Sequence, residues 1–128
     1  MSPISPFYGG LLAILTVYLS FRVTFARRKA KVSIGDADDK YLIKAIRVHA
    51  NSIEYIPLGI VLLVLLELQE TLPWQMHLAG GALLFGRMLH AYGLGSTPQV
   101  VRARVWGMYL THATVTSMAV WNIVLAFL

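Results

Sequence analysis

The sequence contains no cysteine, which excludes disulfides and thiolate-bound metals and leaves the compartment unmarked. Charge is also scarce, at 13% of residues, and acids are outnumbered by bases, six to eleven. Hydrophobic residues make up 57% of the chain, and mean hydropathy is +0.64. That balance excludes an ordinary soluble domain, and 128 residues are too few for several domains. The opening "MSPISP" carries no charge, and the basic run "ARRKAK" follows the first apolar segment. A secretory signal peptide has the opposite order, so this segment reads as a retained span with its N-terminus outside.

What the chain has in quantity is apolar length. A bilayer core needs about 20 mostly apolar residues per helix. Four such runs can be drawn, roughly 7–29, 42–68, 74–93 and 104–127. Together they make residues 1–128 a single membrane domain. The connections contain turn chemistry: Gly35 and three aspartates in "VSIGDADDK", Pro73 in "TLPW", and two glycines and Pro98 in "GLGSTPQ". The expected fold is all-α, an antiparallel four-helix membrane bundle. Trp74, Tyr92, Trp106 and Trp121 fall near span ends, where amphipathic rings settle. Pro57 is expected to kink the second helix.

The bases are unevenly placed. Arg22, Arg27, Arg28, Lys29, Lys31, Lys40, Lys44 and Arg47 surround the first connection, and Arg87, Arg102 and Arg104 the third. The second connection and both termini have none. Cytoplasmic connections collect Lys and Arg. Connections one and three therefore read as cytoplasmic, with both termini outside. Bases confined to span ends speak against a nucleic-acid partner.

The stretch "AIRVHANSIEYIPL" breaks the apolar pattern. At 3.6 residues per turn, Lys44, Arg47, Asn51, Glu54 and Leu58 share one face, and His49 points roughly the other way. Arg47 and Glu54 stand roughly 10 Å apart along the axis, too far for an ion pair within the helix. An ionised group facing lipid is costly, so this face should meet a bundle interior, a wet cavity or another subunit. One alternative is structural, with Glu54 paired to Arg22 or Arg87 of a neighbouring helix. The other is a ligand site in which arginine takes carboxylates, glutamate an ammonium, and asparagine neutral hydrogen bonds. A small zwitterionic peptide fits that chemistry. Amino acids, nucleotides and lipid head groups satisfy part of it.

Arg47, Asn51, Glu54, Tyr55 and Pro57 follow a spacing of Arg, three residues, Asn, two residues, Glu, aromatic, then Pro two positions on. This resembles the second-helix signature of the membrane-associated proteins in eicosanoid and glutathione metabolism, the MAPEG superfamily. The superfamily includes the microsomal glutathione transferases, leukotriene C synthase and microsomal prostaglandin E synthase. The basic run "ARRKAKVS", Arg87 with Tyr92, and Arg104 with Tyr109 resemble further family features. The chain is most similar to the short bacterial members.

The resemblance implies a homotrimer that binds glutathione as co-substrate between subunits, near the cytoplasmic face of a bacterial inner membrane. Arg47 and Asn51 would hold glutathione's carboxylate and backbone groups, and Glu54 its ammonium. Tyr55 and Tyr92 would line the pocket, and Arg27 would reach a carboxylate, from the same or the adjacent subunit. His49 is either a contact across a subunit boundary or an ordinary packed histidine. Arg87 is either part of the cofactor site or an ion-pair partner for Glu54. Arg104 is the expected catalytic residue, with positive-inside anchoring as its alternative role and Arg102 as a possible substitute. A nearby guanidinium stabilises a thiolate, the nucleophilic form of a thiol. The implied function is conjugation of glutathione to a lipophilic electrophile, or reduction of a lipid hydroperoxide. Two alternatives are a non-catalytic glutathione- or lipid-binding protein and a small proton-coupled exporter using Glu54.

His77, His90 and His112 lack metal-site spacing. His77 is placed at the outer interface and His90 at the inner one. "AGGALLFG" is expected to allow close helix approach, and "THATVTS" to supply interhelical hydroxyl contacts.

Overall fold

The computed structural model describes residues 3–128. They form four helices: α1 (Ser5–Ala30), α2 (Lys40–Leu68), α3 (Pro73–Gly95) and α4 (Val101–Leu125). α1 packs on α2 and α3. α4 packs on α3 and α2 and, among the described residues, makes no contact with α1. α2 and α3 thus form the middle of the bundle.

The helix ends follow from local chemistry. Asp39 caps α2, its carboxylate accepting from the backbone N–H groups of Tyr41 and Leu42, each at 2.9 Å. α1 has no side-chain cap from its own first residues. Its free N–H groups are met instead from α2. The Glu67 carboxylate accepts from the backbone N–H of Ile4, the backbone N–H of Ser5 and the Ser5 hydroxyl. This bond set ties the start of α1 to the end of α2. At the other end of α1, Arg27, Arg28 and Lys29 occupy the last turn, where cations suit the helix dipole. α2 continues through Pro57, although proline removes the bond to the carbonyl four residues back.

The main core joins Tyr8, Leu12, Ile56, Leu63, Leu66, Met76, Leu83 and Met118. A smaller cluster of Leu19, Val48 and Ala91 lies toward the basic end. Outside the core, large apolar side chains stay exposed along every helix, Phe7, Ile14, Phe25, Leu78, Phe85 and Ile123 among them. Such a surface suits lipid or a neighbouring subunit and not water. By length and composition, α1 and α2 are apolar enough to cross a membrane, with hydropathies of 1.6 and 1.7. Arg87 and His90 in α3, and several threonines in α4, make those helices less apolar.

α3 and α4 approach most closely at the basic end, because glycine lies at their contact. A Cβ at Gly107 would strike the His90 backbone and lie 2.8 Å from the Gly86 carbonyl oxygen. A Cβ at Gly93 would strike the Arg104 backbone, with Arg104 Cα at 2.8 Å. Within 79–86, a Cβ at Gly80 would strike the Tyr8 ring of α1 and one at Gly86 would crowd Thr111 Oγ1 at 3.0 Å, so these small residues serve close packing. In the 111–117 run Thr111 makes the expected interhelical contact, with Arg87 of α3, while its hydroxyl also bonds within its own helix. Thr111 and Thr114 donate to the carbonyls of Gly107 and Leu110 in their own helix, each at 2.8 Å. The carbonyl four residues back is simply the nearest acceptor for a threonine in a helix.

Candidate functional site

Arg87 is fully buried in α3, at 0% exposure. Its Nη2 donates to Asn51 Oδ1 of α2 at 2.6 Å. Nη1 reaches Thr111 Oγ1 at 3.5 Å and Met108 Sδ at 3.7 Å, both in α4. The guanidinium also lies 5.3 Å from the centre of the Tyr55 ring, within cation–π range. One arginine therefore joins α2, α3 and α4. Of the two roles open to Arg87, the ion pair with Glu54 is not formed among the described residues, and its Nη2 partner is Asn51. Asn51 is half-buried and Glu54 is exposed. The amide serves the buried cation without taking a second charge out of water, and that step is expensive.

The polar chain continues from α2 to α4. The Tyr55 hydroxyl and His112 Nε2 are 3.2 Å apart, and their rings meet edge to face. His112 in turn lines a cavity of about 280 Å³ with His90, Arg104, Val105, Met108 and Tyr109. Arg104 lies in the first turn of α4, half-buried, with Nη1 donating to Gln99 Oε1 at 3.1 Å. His90 is buried, and its Nδ1 is 2.9 Å from the Arg104 carbonyl oxygen. It sits at the α3–α4 contact, five residues before the basic end of α3. Gly107 leaves room there for its backbone.

The expected site residues thus fall into two groups. Asn51, Tyr55 and Arg87 are directly joined, and His112 links them to the cavity that contains Arg104. Arg47, Glu54 and Tyr92 are exposed on the surface of the single chain, and His49 is half-buried. Arg27 is bonded within its own connection, donating from Nη1 to the Gly35 carbonyl. Lys44 leaves the α2 ladder to hold the third connection, donating to Ser96 O at 2.8 Å and Thr97 Oγ1 at 2.9 Å. Met108, His90 and His112 were not anticipated as site residues. For His90 a signal exists: it is three positions after Arg87 and so shares its helix face.

Comparison with known proteins decides the family. The MAPEG family matches residues 5–124, nearly the whole chain. The chain belongs to the MAPEG family. It is therefore an all-α integral membrane protein of the four-helix MAPEG type. It is 36% identical over 120 residues to inner membrane protein YecN of Escherichia coli, covering 94% of this chain and 90% of the relative. YecN from a second strain of that species matches to the same extent. In this MAPEG chain the second-helix signature divides by environment. Asn51 and Tyr55 turn toward the Arg87 network, and Arg47 and Glu54 turn outward.

Proposed function

We propose that this MAPEG protein is a membrane glutathione transferase or peroxidase. It would conjugate glutathione thiolate to lipophilic electrophiles or reduce lipid hydroperoxides. The observation that carries the reading is the cavity between α3 and α4. Arg104 and His90 both line it, joined by the bond from His90 Nδ1 to the Arg104 carbonyl, and His112 connects it to the Arg87–Asn51 network.

The residue chemistry fits the tripeptide. Arg87 occupies Asn51 Oδ1, so the Asn51 amide nitrogen remains a donor for a ligand carboxylate or carbonyl. Arg47 offers a guanidinium for a carboxylate, and Glu54 a carboxylate for the ammonium. Arg104 stabilises a sulfur anion, more effectively at low dielectric than in bulk water. Exposed Arg47 and Glu54 cannot face hydrocarbon cheaply. This supports a homotrimer in which a neighbouring subunit covers them and glutathione binds in the seam. Arg27 and His49 would contribute from the subunit across it. The basic connections place this end at the cytoplasmic face of the inner membrane, where electrophile or hydroperoxide arrives through the lipid.

The test is direct assay of the purified assembly. Wild type should conjugate a generic aryl halide or reduce an organic hydroperoxide, and Glu54→Gln and Arg104→Ala should each lose at least about tenfold in kcat/KM. Glutathione binding without turnover would leave a non-catalytic binding protein. Absence of binding, with substrate-driven proton flux in vesicles, would replace the reading with a Glu54-dependent exporter.

A further inference from the structure

We propose that His90 is the base that removes the proton from a thiol held beside Arg104. The inference rests on the glutathione reading above and adds a catalytic residue to it.

The hydrogen bond fixes the tautomer. The Arg104 carbonyl oxygen can only accept, so His90 Nδ1, 2.9 Å away, carries the hydrogen. In the neutral ring Nε2 then holds the lone pair. That nitrogen is buried and has no hydrogen-bond partner. A buried acceptor left unpaired is destabilising, and such groups call for an explanation. The Nε2 surface is closed in the isolated chain, and a thiol S–H entering the cavity that His90 lines is a donor that would satisfy it once binding uncovers the ring. The other polar residues of the cavity are less suited to the role. Arg104 has donors only. His112 is exposed and engages Nε2 with the Tyr55 hydroxyl. Tyr109 is a phenol, an acid and not a base.

The position is rigid. The ring bonds to the backbone of the residue whose guanidinium would hold the sulfur. Gly107 against the His90 backbone and Gly93 against the Arg104 backbone set the two helices in direct contact. Several charged and titratable groups face His90. They are Arg104, Tyr109 and His112 from α4, Arg87 one turn back on α3, and Tyr55 of α2 behind His112. Arg22 of α1 lies farther off, against Gly95.

The step balances as follows. The thiol S–H bond breaks, its electron pair stays on sulfur, and the proton goes to His90 Nε2. The resulting imidazolium keeps its Nδ1–H bond to the Arg104 carbonyl. The thiolate, flanked by imidazolium and guanidinium, attacks carbon of the electrophile and forms the C–S bond. With an aryl halide, halide leaves with its electron pair and His90 releases its proton to water. With an activated alkene, the same proton is returned to the carbanion. At about 280 Å³ the cavity falls just below the ~300 Å³ at which pockets for whole drug-sized ligands begin. It suits the reacting ends of the two substrates and not the entire tripeptide.

The experiment compares wild type with His90→Gln in two readouts, calorimetric glutathione binding and the pH profile of conjugation. Binding should change by less than about threefold. Conjugation at neutral pH should fall by ~10²-fold, the usual contribution of a positioned base. The deficit should narrow as pH rises past the free thiol's ionisation near 8.5, where no base is needed. An unchanged rate and profile with intact binding would overturn the role of His90 and leave the glutathione reading standing. Failure of wild type to bind glutathione would overturn both, and that outcome is seen in the first readout alone. If His90→Gln does not assemble, nitrogen NMR of histidine-labelled wild type decides, with signals assigned by replacing His49, His77 and His112 in turn. Glutathione should shift the His90 Nε2 signal away from that of the free neutral ring, as a hydrogen bond from the thiol requires. A signal unmoved at saturating glutathione would overturn the proposal.

Discussion

The guanidinium of Arg87 and the side-chain amide of Asn51 are joined across α3 and α2 by a hydrogen bond of 2.6 Å. The bond satisfies part of a buried cation and orients the amide of the second-helix signature. The two roles can be separated. Asn51→Asp keeps an oxygen for Arg87 and removes both amide donors. Thermal stability in detergent should hold or rise, and glutathione affinity should fall by about tenfold, near 1.4 kcal/mol. Equal loss of stability and affinity would mean that Asn51 serves packing alone.

Removing the cation should act on the fold. Arg87→Ala leaves a cavity and strands Asn51, Tyr55 and Thr111 without their shared partner. A loss of ~3 kcal/mol is expected, in the range for breaking buried polar networks. A double-mutant cycle with Asn51→Ala should give coupling of about 1–3 kcal/mol. Additive effects would contradict the bond's importance.

Glu67 supplies a separate prediction at the opposite end of the bundle. Glu67→Ala strips the start of α1 of its acceptor and should cost ~1–2 kcal/mol, as loss of a helix cap does. Ser5→Ala should cost less, because two backbone N–H bonds to the carboxylate remain. Thermal unfolding of the two variants checks the order. Glutathione binding should be unaffected, since both residues are remote from the basic end.

The absence of cysteine makes topology directly measurable. Cysteine introduced at Ser33 or Gln99, in the first and third connections, should react with a membrane-impermeant maleimide only from the cytoplasmic side. Cysteine at Glu70 should react only from the outside. The reverse pattern would invert the proposed orientation.

The sequence reveals the helices readily, because apolar runs near bilayer length and turn residues between them act locally. Membership of the family is equally legible in the spacing of Arg47, Asn51, Glu54, Tyr55 and Pro57. Partners across helices are not. Helical phase shows that Arg47, Asn51 and Glu54 share a face, yet a small rotation decides that Asn51 meets Arg87 while Glu54 stays outside. Lys44 was lost to the third connection for the same reason. The capping role of Glu67 has no local signal, since its partners lie more than 60 positions away at Ile4 and Ser5. His90 was hidden because its environment depends on Gly93 and Gly107 bringing α3 and α4 together, a tertiary fact that no single helix pattern encodes.

Calorimetric titration of glutathione into the purified, monodisperse wild-type assembly, with Glu54→Gln in parallel, tests the proposed function most directly. Wild type should give saturable heat with Kd at or below about 1 mM, near −4 kcal/mol. Glu54→Gln should weaken binding at least about tenfold and leave thermal stability unchanged, because the exposed carboxylate takes no part in the core. A folded, intact wild-type assembly that gives no heat would contradict glutathione binding at this site.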